Sequence, residues 1–218
     1  MTVYRLTRKL VFPPPELADD DGLLAVGGDL SIERLVLAYS MGIFPWYSDG
    51  NPILWWSPDP RLVLIPGELT VSKTLKQTIR KGMFRVTTDQ AFEAVIRGCA
   101  TIKRKGEQGT WITEEMIEAY IRLHKAGWAH SVESWDGEEL VGGLYGVIIG
   151  RAFFGESMFA KKTDASKVAF AVYAAELARK GFELIDCQVA TEHLKRFGAK
   201  EIPRAEFMVR LGKALKGA

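Results

Sequence analysis

Three polar residues stand inside segments that are otherwise apolar. Glu156 interrupts Phe153-Phe154-Gly155-Glu156-Ser157-Met158-Phe159, and Asp186 and Gln188 sit within Leu184-Ile185-Asp186-Cys187-Gln188. An ionisable side chain in such a segment is costly unless something specific pairs with it, so these residues are the first candidates for chemistry. Side chains of an extended segment alternate faces, which puts Asp186 and Gln188 on one side and Ile185 and Cys187 on the other. An Asp and a Glu facing one small cavity would bind a cation, such as a guanidinium or an ammonium, and could take a proton from it. The competing reading of the same residues is a hydrogen-bond network that only holds a sheet edge.

The elements around them give these groups a common place. Trp128 to Trp135 and Leu140 to Ile149 alternate with period two and flank Asp136-Gly137, a tight hairpin signal. Gly150-Arg151 turns the chain into a third antiparallel strand, Ala152 to Phe159. Asp164 is expected to cap a helix with Val168, Val172 and Ala175 inward, stopped by Gly181, before Phe182 to Gln188 returns as a strand. A strand-helix-strand connection of this kind is right-handed and makes its two strands parallel. Glu156, Asp186 and Gln188 would then meet at the carboxyl edges of neighbouring strands, where ligands of open α/β layers bind. The class is α+β with a mixed sheet.

The preceding segments add a small unit and basic margins. Gly22 to Asp29 reads as a short strand closed by glycines, and Ser31 caps a helix over Ile32 to Met41. Trp46, Trp55 and Trp56 follow among prolines, as a rigid cap or as an aromatic wall beside a site. Leu62 to Ile65 is a strand, and Ser72 caps a short basic helix that ends at Gly82. Phe84 to Thr87 is another strand, and Asp89 is expected to cap a helix with Phe92, Val95 and Ile96 on one face. The loop from Thr101 to Gly109 carries Lys103-Arg104-Lys105 and is expected to be mobile; Thr113 caps the helix after it, with Met116, Tyr120 and Leu123 as its buried stripe. Short helices over Thr191 to Phe197 and Glu206 to Leu215 complete the chain.

Composition bounds the rest. A chain of 218 residues with 47% hydrophobic and 26% charged residues is an ordinary globular protein that needs no staples. Two cysteines without a C-x-x-C pair and three scattered histidines argue against a zinc site or a disulfide framework. No phosphate-gripping glycine loop follows Phe159; the segment there is Ala-Lys-Lys-Thr-Asp-Ala-Ser-Lys. No cofactor is therefore expected, and Lys161, Lys162 and Lys167 are candidates for contacting phosphates as point charges. The N-terminal residues lack an apolar signal core and no run approaches the roughly 18 apolar residues of a membrane span, which predicts a cytoplasmic protein without a membrane partner.

Several blocks together resemble a known family. Gly22 to Ser31, Gly42-Ile43-Phe44-Pro45-Trp46, Trp55 to Arg61, Gly109-Thr110-Trp111-Ile112, Gly155 to Phe159 and Leu184 to Gln188 are similar, in order and over nearly the whole chain, to signature blocks of bacterial leucyl/phenylalanyl-tRNA-protein transferases. The resemblance implies a small N-terminal α+β domain, residues 1–62, joined to an acetyltransferase-like domain, residues 63–218. It implies transfer of Leu or Phe, and less efficiently Met, from aminoacyl-tRNA to proteins beginning with Arg or Lys, with no metal and no cofactor. By the family's pattern, Trp46 and Trp111 border the aminoacyl end of the tRNA, and Leu144, Phe153, Tyr173, Leu177 and Ile185 line the pocket for the Leu or Phe side chain. Glu156, Asp186 and Gln188 would hold the acceptor amine and help deprotonate it. A coenzyme A-dependent N-acyltransferase and a non-catalytic peptide- or RNA-binding module are the rival readings; the first calls for a glycine-rich loop where Lys161-Lys162-Thr163 stands.

Overall fold

A computed structural model describes residues 3–101 and 111–216. The loop with Lys103-Arg104-Lys105 lies outside the described residues, as do Gly109 and Thr110. The chain begins with β1 (Tyr4–Leu6), a 3-10 turn, β2 (Leu23–Gly27), α1 (Ile32–Ser40), β3 (Phe44–Pro45) and β4 (Leu54–Trp56). Their four strands form one sheet in the order β1-β2-β4-β3. Ser31 starts α1 by accepting the Arg34 N–H on its side chain, as a serine at that position should.

The second sheet has seven strands. β5 (Arg61–Leu64), α2 (Lys73–Arg80), β6 (Arg85–Thr88), α3 (Phe92–Thr101) and α4 (Glu114–Lys125) precede the long meander β7 (Ala129–Asp136), β8 (Glu139–Ile149) and β9 (Ala152–Ala160). Then follow α5 (Ala165–Arg179), β10 (Leu184–Gln188), α6 (Glu192–Lys195), β11 (Lys200–Ile202) and α7 (Arg204–Lys216). The strand order is β11-β5-β10-β9-β8-β7-β6. Among the described strands of this sheet only β9 and β10 run parallel, joined by α5; its other pairings are antiparallel. This antiparallel meander closed by one parallel crossover is the α+β arrangement with a mixed sheet that the sequence implies.

Residues on successive positions of the strands enter two different cores. Leu144 of β8 and Phe153 of β9 join α5 in one, whereas Tyr145 and Phe154 join α1, α3, α4 and α7 in the other. The sheet is thus covered on both faces, and its middle strands are mostly apolar, with Glu156, Asp186 and Gln188 among the buried exceptions. Gly146 in β8 is required by close approach: a Cβ there would lie 2.3 Å from the Phe154 carbonyl oxygen and 2.4 Å from the Phe153 ring.

Three local expectations fail for physical reasons. Asp89 and Asp164 both adopt left-handed backbone, φ 59° and 66°, and neither caps a helix through its side chain. Asp89 instead accepts the Ser131 N–H at 2.9 Å and lies 2.7 Å from His130 Nδ1, while Asp164 accepts from Lys167 Nζ at 2.7 Å. On α5, Val172 is only half-buried and Ala175 is exposed; Val168, Phe170, Ala171, Tyr173, Ala174 and Leu177 are among the buried residues. That helix is apolar nearly all round, so periodicity alone could not orient it.

Candidate active site

The parallel pair β9 and β10 is joined only from Leu184↔Ala152 to Asp186↔Phe154, and β9 then continues to Ala160 without β10 beside it. A cavity of about 450 Å³ opens where the two strands part. Regular pleating would place Phe153 and Glu156 on opposite faces. The β8–β9 register steps from Tyr145↔Ser157 to Gly146↔Gly155, so Glu156 occupies a bulge and both residues line the cavity.

A second irregularity brings in Gln188. The β10–β5 register shifts between Asp186 and Gln188, and Gln188 is left-handed with φ 62°. Gln188 therefore shares the cavity with Ile185 and Cys187, while Asp186 is turned away. This corrects the expectation that Asp186 and Gln188 face one side. A non-glycine residue in that conformation persists only where its surroundings hold it, a feature common at functional sites.

Glu156, 8% exposed, is the centre of the polar contacts. Its Oε1 accepts from Tyr39 Oη and from Gln188 Nε2, each at 2.8 Å, and its Oε2 accepts from Tyr120 Oη at 3.2 Å. The two tyrosine hydroxyls also touch each other. Burial pushes the Glu156 carboxyl up to about 7; the bonds from Tyr39, Gln188 and Tyr120 oppose the shift, and the Asp186 charge adds to it. Glu156 is thus a carboxyl group poised to exchange a proton near neutrality.

Asp186, 0% exposed, is engaged elsewhere. Arg61 Nε donates to its Oδ1 at 2.8 Å and Arg61 Nη2 to its Oδ2 at 2.6 Å. Oδ1 also accepts the Gln188 backbone N–H at 2.9 Å. Its hydrogen bond to Gln188 therefore runs through the backbone, not the side-chain amide, and it does not line the cavity.

The cavity is mainly apolar in the rest of its lining, with Ser157, Thr191 and His193 as its further polar residues. Trp46, Trp111, Leu144, Phe153 and Ile185 line it, together with Phe44, Met158 and Phe170, three residues that sequence reasoning did not place there. Trp46 stands at the mouth, 41% exposed, its carbonyl held by Trp56 Nε1 at 2.7 Å. Tyr173 and Leu177 are not in the lining: Tyr173 stacks edge-on against Phe153 at 5.1 Å, and Leu177 belongs to the same core. They back the wall instead of forming it.

The site raises a stability expectation. For a carboxyl raised from 4.5 to about 7, the stabilising contribution is complete below about pH 4.5 and is lost as pH rises to about 7. The loss is about 3 kcal/mol at about 1.4 kcal/mol per unit. Glu156→Gln, which cannot ionise, is expected to unfold at a higher temperature than the wild type at alkaline pH and at a similar one near pH 4.5. Thermal melts at both ends of that range check this; a variant less stable than wild type at alkaline pH would contradict it.

The sequence has relatives among known proteins. Residues 63–212 match the family model described as leucyl/phenylalanyl-tRNA protein transferase, and residues 28–59 match the model of its N-terminal domain. A leucyl/phenylalanyl-tRNA-protein transferase of Anaeromyxobacter sp. strain Fw109-5 is 65% identical over 215 residues, spanning 99% of this chain and 92% of the relative. The chain belongs to the leucyl/phenylalanyl-tRNA-protein transferase family. Further relatives of the same name include those of Syntrophobacter fumaroxidans, 61% identical over 97% of this chain and 90% of the relative, and of Myxococcus xanthus, 59% identical over 99% and 93%. Among solved structures, a GCN5-related N-acetyltransferase from Kribbella flavida aligns with a TM-score of 0.40 at 11% identity, covering 81% of this chain and 63% of that one.

In this family member the proposed phosphate contacts are unequal. Lys162 is paired with Asp136 at 2.5 Å and Lys167 with Asp164 at 2.7 Å, whereas Lys161 is exposed and makes no ion pair among the described residues. Exposed pairs contribute little, so these lysines can exchange partners readily. A larger groove of about 640 Å³ lies between α2 and α5, with Lys73, Lys76, Arg80 and Arg179 on its lining; it holds no carboxylate and is not the place of the acid-base chemistry. No group of three or more His, Cys, Asp or Glu suited to a metal occurs among the described residues, and none of their helices is long and apolar enough to cross a membrane.

Proposed function

We propose that this transferase moves Leu or Phe, and less efficiently Met, from aminoacyl-tRNA to the N-terminal α-amine of proteins that begin with Arg or Lys. The product would then be marked for degradation by the bacterial N-degron pathway in the cytoplasm. The observation that carries this reading is the one carboxyl in the lining, buried Glu156, raised to about 7 on the wall of a mainly apolar cavity. That is the chemistry needed to bind an ammonium and release it as an amine. The same reading divides the chain at residues 1–62 and 63–218. It rests there on the two separate sheets, with β5 (Arg61–Leu64) crossing the division.

The aminoacyl ester is already activated, so the main task is to bring amine and carbonyl together, and positioning contributes about 7–11 kcal/mol. Trp46 and Trp111 border the aminoacyl end, and Leu144, Phe153 and Ile185 receive the Leu or Phe side chain, backed by Tyr173 and Leu177. Glu156 accepts a proton from the acceptor ammonium, whose reference pKa is about 8. The freed amine attacks the ester carbonyl, the new C–N bond forms, and the ester C–O bond to the ribose breaks. The ribose oxygen leaves with the second proton given up by the attacking nitrogen, and Glu156 returns its own proton to solvent. Gln188 spends its Nε2 on Glu156, leaving its carbonyl oxygen to orient the amine. Asp186 acts behind both, as the ion-pair partner of Arg61. Lys161, Lys162 and Lys167 are carried in this reading as phosphate contacts.

An apolar pocket distinguishes side chains only by fit, at about 1–3 kcal/mol per misplaced methylene. With an acceptor protein starting in Arg, leucyl- and phenylalanyl-tRNA are expected to donate well, methionyl-tRNA about 10- to 200-fold less well, and aspartyl-tRNA not at all. Filter assays with the four labelled donors check this. Aspartate transferred as fast as leucine would overturn the pocket assignment.

A further inference from the structure

The site contains a buried cation that touches none of the reacting groups directly. Arg61, the first residue of β5, is 1% exposed and grips Asp186 through two parallel hydrogen bonds. Its guanidinium carbon lies 4.7 Å from the ring centroids of both Phe44 and Phe207, so the planar group is held between two aromatic faces. Phe44 lines the cavity, whereas Phe207 belongs to α7. The remaining nitrogen, Nη1, is buried without a partner among the described residues. A pair buried this deeply with one donor unpaired is poor value for stability alone, since well-fitted apolar side chains often serve a core as well.

What the pair does hold is geometry. The carboxylate it fixes accepts the backbone N–H of Gln188, the left-handed residue, whose side-chain amide reaches Glu156. A continuous chain of contacts thus runs from Arg61 through Asp186 and Gln188 to Glu156. A second, shorter one runs from Arg61 to the cavity wall at Phe44. Resting on the functional reading above, we infer that Arg61 is a positioning residue for the transfer, setting the backbone of Gln188 through Asp186 and the cavity wall through Phe44. Asp186 is then a charge-compensated strut between Arg61 and Gln188 and not a carrier of the amine proton. The two-pronged, planar contact is one that arginine makes and lysine cannot, because an ammonium has neither the fork nor the flat face.

The test compares Arg61→Lys, Arg61→Gln and the double variant Arg61→Gln/Asp186→Asn with wild type, after melts establish which are folded at the assay temperature. Leucyl-tRNA and an acceptor starting in Arg give kcat and KM. Arg61→Lys is expected to lower kcat by about 10- to 100-fold, the scale of a displacement of about 1 Å, with KM for leucyl-tRNA within about threefold of wild type. The acid limb of its pH profile stays near pH 7, because Glu156 is intact. The double variant, which leaves no charge unpaired, is expected to exceed Arg61→Gln alone. A folded Arg61→Lys with kcat within about twofold of wild type, or one that changes only KM for leucyl-tRNA, overturns the inference. Should Arg61→Lys fail to fold, the double variant decides: kcat no better than Arg61→Gln alone overturns it. An inactive wild type refutes the functional reading and the inference with it, whereas an active wild type and an unaffected Arg61→Lys refute the inference alone.

Discussion

Glu156→Gln is expected to lower the rate of leucyl transfer by about 10²- to 10⁴-fold, the range supplied by a positioned general base, with little change in affinity for leucyl-tRNA. The substitution keeps size and shape, and an amide can still meet the hydroxyls of Tyr39 and Tyr120, but it cannot take a proton from an ammonium. The pH profile separates this from a loss of fit. In the wild type the base must be ionised, so the rate falls as pH drops through about 7, the value to which burial raises Glu156. In the variant that limb is expected to vanish, leaving only the titration of the acceptor amine itself at about pH 8. Single-turnover rates from preloaded leucyl-tRNA, taken from about pH 5.5 to about pH 9, measure both. A variant within about threefold of wild type, or one that keeps the limb near pH 7, would contradict the role given to Glu156.

Asp186→Ala is expected to cost about 3–5 kcal/mol of folding stability, the range for breaking one side of a buried ion pair. The substitution leaves the Arg61 guanidinium buried between Phe44 and Phe207 with no acceptor for the two nitrogens that Asp186 held. Whole-domain stabilities are about 5–15 kcal/mol, so the variant loses a large share of the total. At about 2–4 °C per kcal/mol for a chain of this length, its melting temperature is expected to fall by about 6–20 °C. The paired replacement Arg61→Met/Asp186→Leu removes both charges and should be destabilised less than Asp186→Ala alone. Thermal unfolding of the three proteins decides it; an Asp186→Ala melt within about 2 °C of wild type would show that the pair is not held as its distances indicate.

Much of this architecture was legible because its signals are local. The turn at Asp136-Gly137, the alternation through β8 and β9, and the caps at Ser31, Ser72 and Thr113 each depend on a few neighbouring residues. Glu156 and Gln188 could be picked out because a polar side chain in an apolar strand is unusual. What stayed hidden depends on distant partners or on backbone departures. Arg61 and Asp186 are 125 positions apart, and nothing near either residue announces the other. Tyr39 lies on α1 of the N-terminal sheet unit, and Tyr120 reads as part of an ordinary buried stripe on α4; only the fold brings both hydroxyls to Glu156. Gln188 reaches the cavity through a positive φ, which strict alternation cannot anticipate. Asp89 and Asp164 have the residue type and position of helix caps, but their left-handed backbones commit the carboxylates to other partners. For the side-chain pocket, Phe170 and Tyr173 stand one helical turn apart on a helix buried on most of its surface, so which of them reaches the cavity is set by tertiary fit.

The most direct measurement is transfer of labelled Leu from leucyl-tRNA to one model protein made with Arg at its N-terminus, with Ala there instead, and with Arg whose α-amine is acetylated. Transfer to the free Arg form alone is the predicted result, because the cavity must both hold a basic acceptor residue and deprotonate its α-amine. Equal transfer to the Ala form, or any transfer to the acetylated form, would contradict the assignment of Glu156 and Gln188 to the acceptor amine.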